Sequence, residues 1–295
     1  MFQLSLFSPV NTAKAVNVAS VPQRSPFRYP GGKTWLVPYI RAWLLSLPQV
    51  PASFVEPFAG GGIVSLTVAA EHLATHITMI EIDRQVAAVW KTILSDDGGG
   101  EWLAERILGF QVDRNAVMEL VDQEPRSTRD LAFQTIVKNR VYHGGILAAG
   151  SAPIKNGENG KGIGSRWYPQ TLIRRIMDIV SLRSKITFIE GDGLAYLEQD
   201  AEVTNAVYFI DPPYTAGSKG AGRRLYTHHE LDHPHLFEVT SRLEGSFLMT
   251  YDNDELIMHL GKRHDLQTAT VPMKNTHHAD MTELLLSRDL SWLEE

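Results

Sequence analysis

An aspartate, two prolines and a tyrosine, Asp211-Pro212-Pro213-Tyr214, follow the apolar run Val207-Tyr208-Phe209-Ile210. At the carboxyl end of a strand this quartet offers a carboxylate, prolyl carbonyls without amide donors, and an aromatic face. That set suits gripping an exocyclic amine on a flat base. Upstream, Phe54-Val55-Glu56-Pro57-Phe58-Ala59-Gly60-Gly61-Gly62 joins a short apolar strand to a glycine-rich turn, where missing side chains let a ligand approach the backbone. Glu81 ends the next strand about 20 residues on, where a carboxylate can accept both hydroxyls of an adenosine ribose. The turn departs from the spacing of a dinucleotide fingerprint, and no separate nicotinamide half is visible.

Gly31-Gly32-Lys33-Thr34 matches the end of a P-loop, but the first glycine of that motif would have to sit at Phe27, so ATP binding is rejected. Lys33 instead has the charge to pair with a ligand carboxylate, and the Tyr29 ring could sit near a positive centre. His228, His229, Asp232, His233 and His235 match no established zinc spacing, and no metal is expected. The chain has no cysteine, which excludes disulfides, a cysteine nucleophile and cysteine-ligated zinc, and is compatible with the cytoplasm.

The elements that position these residues follow from periodicity. Strands are expected at Ala52–Val55 and His76–Ile82, with helices at Ile63–Leu73 and Arg84–Leu94: a β-α-β unit, which implies a parallel sheet. Helical spacing continues at Glu101–Gln111, Asn115–Gln123, Thr128–Tyr142 and Pro169–Ser181, around a long Gly144–Gly164 loop suspected of function. Strands return at Lys185–Glu190, Ala206–Ile210, Ser246–Tyr251, Leu266–Val271 and Met281–Ser287. The expected division is a flexible arm at 1–26, a sheet domain at 27–95 and 186–295, and a helical insertion at 96–185.

The 295-residue chain carries a net charge of −6, yet residues 126–185 carry +8, leaving −14 for the remainder. So lopsided a segment inside an acidic chain points to a polyanion partner. No apolar run approaches bilayer length, and the N-terminus lacks the pattern of a signal peptide, so a cytoplasmic protein is expected.

Taken in order, Arg28-Tyr29-Pro30-Gly31-Gly32-Lys33, the Glu56–Gly62 turn, Glu81, Gly191-Asp192, Asp211-Pro212-Pro213-Tyr214 and Phe247-Leu248-Met249-Thr250-Tyr251 resemble the Dam-type, D12-class DNA adenine-N6 methyltransferases. The resemblance runs from Phe27 to about Arg288. It implies an α/β, Rossmann-like S-adenosylmethionine-dependent methyltransferase sheet with an inserted, mostly helical target-recognition domain. It also implies methyl transfer from S-adenosylmethionine to N6 of a flipped-out adenine in double-stranded DNA, in a bacterial or phage setting. Tyr29, Gly32, Lys33, Glu56, Pro57, Phe58, Gly60, Glu81, Asp192 and Asp211 would hold the cofactor, and Asp211, Pro212, Pro213 and Tyr214 would act on the base. Tyr29 stands where many relatives have tryptophan, and Glu81 where many have aspartate.

Asn139-Arg140-Val141-Tyr142-His143-Gly144-Gly145 resembles the family's Asn-Arg segment leading into the recognition loop. Lys138, Asn139, Arg140, Lys155, Lys161, Arg166, Arg174 and Arg223 are the candidate DNA contacts. Gln3-Leu4-Ser5-Leu6-Phe7 resembles the pentapeptide that docks bacterial replication proteins on the sliding clamp. A monomer is expected. The rival readings are cytosine-N4 transfer, which a serine in place of Asp211 would favour, and a catalytically silent DNA-binding or clamp-associated protein that keeps the fold.

Overall fold

Alternation along the strands sets the architecture. In the computed structural model, which describes residues 14–28, 32–155, 157, 160, 162–213, 231–274 and 280–293, β1 (Ser53–Glu56) turns Phe54 to one apolar cluster and Val55 to the other. β2 (His76–Glu81) separates Ile77 and Met79 from Ile80 in the same way, and β4 (Ala206–Ile210) separates Phe209 from Tyr208 and Ile210. Strands covered on both faces must be apolar on both sides, and β4 is buried at every residue.

Together with β3 (Ile186–Glu190), β5 (Ser246–Asp252), β6 (Gln267–Lys274) and β7 (Asp280–Ser287), these form a sheet of seven strands among the described residues. Its order is β3-β2-β1-β4-β5-β7-β6, with β1 to β5 parallel and β7 antiparallel to both β5 and β6. The Rossmann-like α/β architecture expected from the sequence is thus present.

One face is covered by α1 (Val37–Ser46), α2 (Ile63–Ala70), α3 (Arg84–Leu94), α4 (Gly99–Gly109), α5 (Arg114–Asp122), α6 (Thr128–Val141) and α7 (Pro169–Leu182). The other is covered by α8 (Gly193–Asp200), α9 (His233–Arg242) and α10 (Glu255–Arg263). α6 packs along α3 and α7 along α4, so the basic helical block shares its apolar cluster with one face of the sheet. None of the described helices is long and apolar enough to cross a membrane.

Element ends agree with the sequence reading to within two residues, save that β6 runs on to Lys274 and α2 ends early. α2 stops at Ala70 rather than Leu73 because His72 adopts a left-handed φ of 56° and the Leu73 N–H returns to the Val68 carbonyl. α1, α8, α9 and α10 lie outside the helices read from spacing. α1 is apolar nearly all round, which hides its period, while α8 buries little beyond Gly193 and Leu197.

Candidate active site

Glu56 ends β1, Glu81 ends β2, and Asp211 directly follows β4, so all three carboxylates stand at carboxyl ends of parallel strands. β1 pairs with β2 on one side and β4 on the other. From this point the chain order runs outward in opposite directions, the crevice where open α/β sheets take their ligands.

The glycine turn between β1 and α2 owes its shape to its neighbours. Gly60 and Gly62 have φ of 47° and 63°, a region that only glycine enters without strain. A Cβ at Gly62 would lie 2.6 Å from Met79 Cε and 2.9 Å from Trp90 Cζ2. Trp90 Nε1 donates to the Gly60 carbonyl at 2.9 Å, and Ser25 Oγ donates to the Gly61 carbonyl. On the open side, Glu81 Oε2 accepts the Gly60 N–H and Glu81 Oε1 the Asp83 N–H, both at 2.8 Å. The turn thus fixes the carboxylate that it faces.

Glu56 is buried and accepts the Ser65 N–H at 3.0 Å. Burial pushes its carboxyl up to about 8, only partly offset by Ser65. Burial likewise pushes Glu81 up to about 7, against the opposing pull of its backbone N–H bonds. Two buried carboxylates poised near neutrality favour a cationic ligand, which would complete their ionisation.

Gly32 precedes a 3-10 turn, Lys33–Leu36, that delivers the buried Lys33 side chain. Lys33 Nζ lies 3.1 Å from Asp211 Oδ1 and 3.0 Å from Glu283 Oε1 on β7. Burial opposes its charge, but the two carboxylates outweigh that and lift its pKa above the ordinary lysine range. Thr250 Oγ1 on β5 lies 3.5 Å from Asp211 Oδ1 and 3.4 Å from Glu283 Oε1. Sequence reasoning missed Glu283. The one available signal is a charge inside the apolar run Leu284-Leu285-Leu286 and its approach.

Pro57 and Pro212 are buried, while Phe58 and Pro213 are half-buried beside the crevice. Asp192 is exposed and caps α8, accepting the Leu194 and Ala195 N–H groups at 2.8 and 3.3 Å. A Cβ on Gly193 would lie 2.0 Å from the Pro57 carbonyl oxygen, so the β3–α8 turn presses directly on the β1–α2 turn. Tyr251 is buried with its hydroxyl 2.9 Å from His233 Nδ1, and burial, then the Asp211 charge, holds that phenol well above its usual pKa.

The candidate DNA contacts divide. Lys155 and Arg174 are exposed and Arg166 is half-buried. Lys138 Nζ donates to Gln134 Oε1 at 3.0 Å on its own helix. Asn139 and Arg140 are buried, and both hold backbone of the segment before Lys33: Asn139 that of Arg28, and Arg140 the Pro26 carbonyl. Burial, followed by Arg175 and Arg28, draws the Arg140 guanidinium down to about 9. Tyr29, Lys161, Tyr214, Arg223 and the Gln3–Phe7 pentapeptide lie outside the described residues. Among the described residues no group of three His, Cys, Asp or Glu could hold a metal ion.

No curated protein matches the chain. Among solved structures, the rRNA methyltransferase aviRa from Streptomyces viridochromogenes is 14% identical at a TM-score of 0.40, covering 88% of this chain and 86% of its own. A methyltransferase from Geobacter sulfurreducens is also 14% identical at a TM-score of 0.40, covering 94% of this chain and 99% of its own. A precorrin-6y C5,15-methyltransferase from Geobacter metallireducens is 10% identical at 0.35, covering 84% and 85%. The family model for D12 class N6 adenine-specific DNA methyltransferase matches residues 29–130, the stretch that holds Lys33, the glycine turn, Glu81 and the start of the helical block. This match supports methyl transfer, and over residues 29–130 the chain is similar to the D12 class N6 adenine-specific DNA methyltransferases, the family its motifs resemble.

Proposed function

We propose that the protein transfers a methyl group from S-adenosylmethionine to N6 of an adenine in double-stranded DNA. The observation that carries this reading is the convergence of Glu56, Glu81, Lys33 and Asp211 at one switch point, with an aspartate leading the Asp-Pro-Pro-Tyr motif. The site's charge suits the cofactor: among the described residues the buried carboxylates Glu56, Glu81 and Glu283 outnumber the buried Lys33, and S-adenosylmethionine, when bound, supplies an electrophilic methyl on a positively charged sulfonium. Glu81 takes the ribose hydroxyls, Asp192 lies near the adenine ring, and Gly60 lets the ligand approach the turn.

Adenine N6 is a weak nucleophile because its lone pair is delocalised into the ring. Asp211 and the Pro212 carbonyl accept hydrogen bonds from the amino group, favour its pyramidal form and aim the lone pair at the methyl. Transfer is then an in-line displacement governed by positioning. Extrusion of the base costs a few kcal/mol, and stacking on Tyr214 returns roughly 1–3 kcal/mol. Lys33 fixes Asp211 from behind. Lys155, Lys161 and Arg166, in the basic loop and the turn that follows it, bear on phosphates, Arg174 on α7 is the candidate to read a guanine edge, and the Gln3–Phe7 arm docks a sliding clamp.

Sequencing modified bases in DNA from cells that express the chain tests this reading. Methylated adenines at a recurring short site are expected. Methylation confined to cytosine-N4 would favour the rival enzyme, and unmodified DNA would favour a silent binding module.

A further inference from the structure

The segment Ser25–Arg28 is held from two sides at once. On the cofactor side, Ser25 Oγ donates to the Gly61 carbonyl and accepts the Phe27 N–H at 3.1 Å, while the Phe27 ring packs on Trp90 with centroids 5.6 Å apart. On the helical side, Asn139 Oδ1 accepts the Arg28 N–H at 2.8 Å, and Asn139 Nδ2 donates to the Arg28 carbonyl at 3.0 Å. Arg140 of α6 reaches the Pro26 carbonyl, and Arg175 of α7 reaches the Ser25 carbonyl at 3.0 Å.

Asn139 Nδ2 makes a further bond, to the Gly145 carbonyl at 2.8 Å. Both amide hydrogens are therefore engaged inside the protein, which leaves no donor for a base or a phosphate. Gly145 has φ of 76°, and a Cβ there would lie 2.4 Å from the Arg28 carbonyl oxygen, so the start of the long basic loop touches the same segment. The loop is in turn pinned to the end of α6 by His143 N–H to the Ala152 carbonyl at 3.2 Å and Ile154 N–H to the Val141 carbonyl at 2.8 Å. A short stretch of chain thus connects the basic loop with the glycine turn, and leads on to Gly32 and Lys33.

We infer that Asn139 is a positioning residue that couples polyanion binding on the basic loop to cofactor binding at the glycine turn. This rests on the proposed use of S-adenosylmethionine and DNA. Displacement of Gly145 by a nucleic acid is felt at Arg28, hence at Ser25 and Gly61, and linkage makes the effect reciprocal: each ligand tightens or loosens the other by one factor.

The test is calorimetric titration of the full chain with S-adenosylmethionine, with and without saturating duplex DNA, on wild type, Asn139→Ala, Ser25→Ala and the double variant. Each single variant is expected to weaken cofactor binding by about tenfold, the effect of one buried polar group losing its partner. Binding of DNA alone should be unchanged, and the change in cofactor affinity that DNA causes in wild type should vanish in Asn139→Ala. The double variant should lose less than the product of the single losses, because both act through one segment. Asn139→Asp, which keeps the acceptor for Arg28 N–H, serves if Asn139→Ala does not fold. Unchanged cofactor affinity with weakened DNA binding would overturn the inference and make Asn139 a DNA contact. Losses that simply multiply would also overturn it. Failure of wild type to bind S-adenosylmethionine would instead overturn the functional reading, and this inference with it.

Discussion

Lys33 and Asp211, one near each end of the cofactor and base motifs, meet at 3.1 Å in a site where Glu283 competes for the same ammonium at 3.0 Å. Lys33 thereby joins the first motif of the chain to Asp211 after β4 and to Glu283 on β7, the last strand in chain order. The pairing also explains a lysine that is only 5% exposed.

Removing that ammonium takes the buried lysine from both carboxylates. Lys33→Met is expected to lower stability by about 3–5 kcal/mol, the usual consequence of breaking a buried ion pair from one side. The double variant Lys33→Met/Glu283→Gln should recover part of the loss. Urea denaturation measures both, and equal midpoints for wild type and Lys33→Met would show that the pair carries no weight.

The raised pKa values of Glu56 and Glu81 set a pH dependence. A carboxyl whose folded pKa exceeds its ordinary 4.5 contributes stability that is complete below that value and is lost as pH rises through about 8 for Glu56 and about 7 for Glu81. The cofactor-free protein should therefore melt at lower temperature as pH rises from about 4.5 to about 8, by roughly 2–4 °C per kcal/mol lost. Glu56→Gln should flatten the curve. S-adenosylmethionine, as a cation, should bind with proton release, seen as a dependence of calorimetric heat on buffer ionisation enthalpy.

Gly193→Ala tests the contact between the two turns. The Pro57 carbonyl, 2.0 Å from the added carbon, is backbone and has little room to move. A cost of about 1–3 kcal/mol is expected, with weaker cofactor binding, in a residue that would otherwise be an ordinary first position of a helix. Thermal melts and cofactor titration would reveal it.

The three strand-end acids were legible in the sequence because each terminates an apolar run whose period is visible. Glu283 was not, since its one local sign is a charge beside an apolar run and its ion pair with Lys33 is long-range. Asn139 and Arg140 were legible as a motif and illegible in role: charge and type say nothing about burial, and here both turn inward to backbone carbonyls. The short helix α8, begun by an aspartate cap at Asp192, buries too few apolar residues to show a period, whereas α10, capped by Asp254, buries Ile257 and Leu260 one turn apart, a periodic signal that the sequence reading passed over.

Lys155, exposed on the basic loop, is the cleaner candidate for a phosphate contact. Lys155→Ala should weaken binding about equally for all duplex sequences and reduce the slope of log affinity against log salt by about 0.9. Band-shift titrations across salt concentrations measure this slope. An unchanged slope would place the phosphates elsewhere.

Nucleoside mass spectrometry of unmethylated duplex DNA incubated with the purified protein and S-adenosylmethionine tests the central claim most directly. Wild type is expected to yield N6-methyldeoxyadenosine in step with S-adenosylhomocysteine, while Asp211→Ala yields neither and still binds DNA. Full turnover by Asp211→Ala, or a methylated product other than N6-methyldeoxyadenosine, would contradict it.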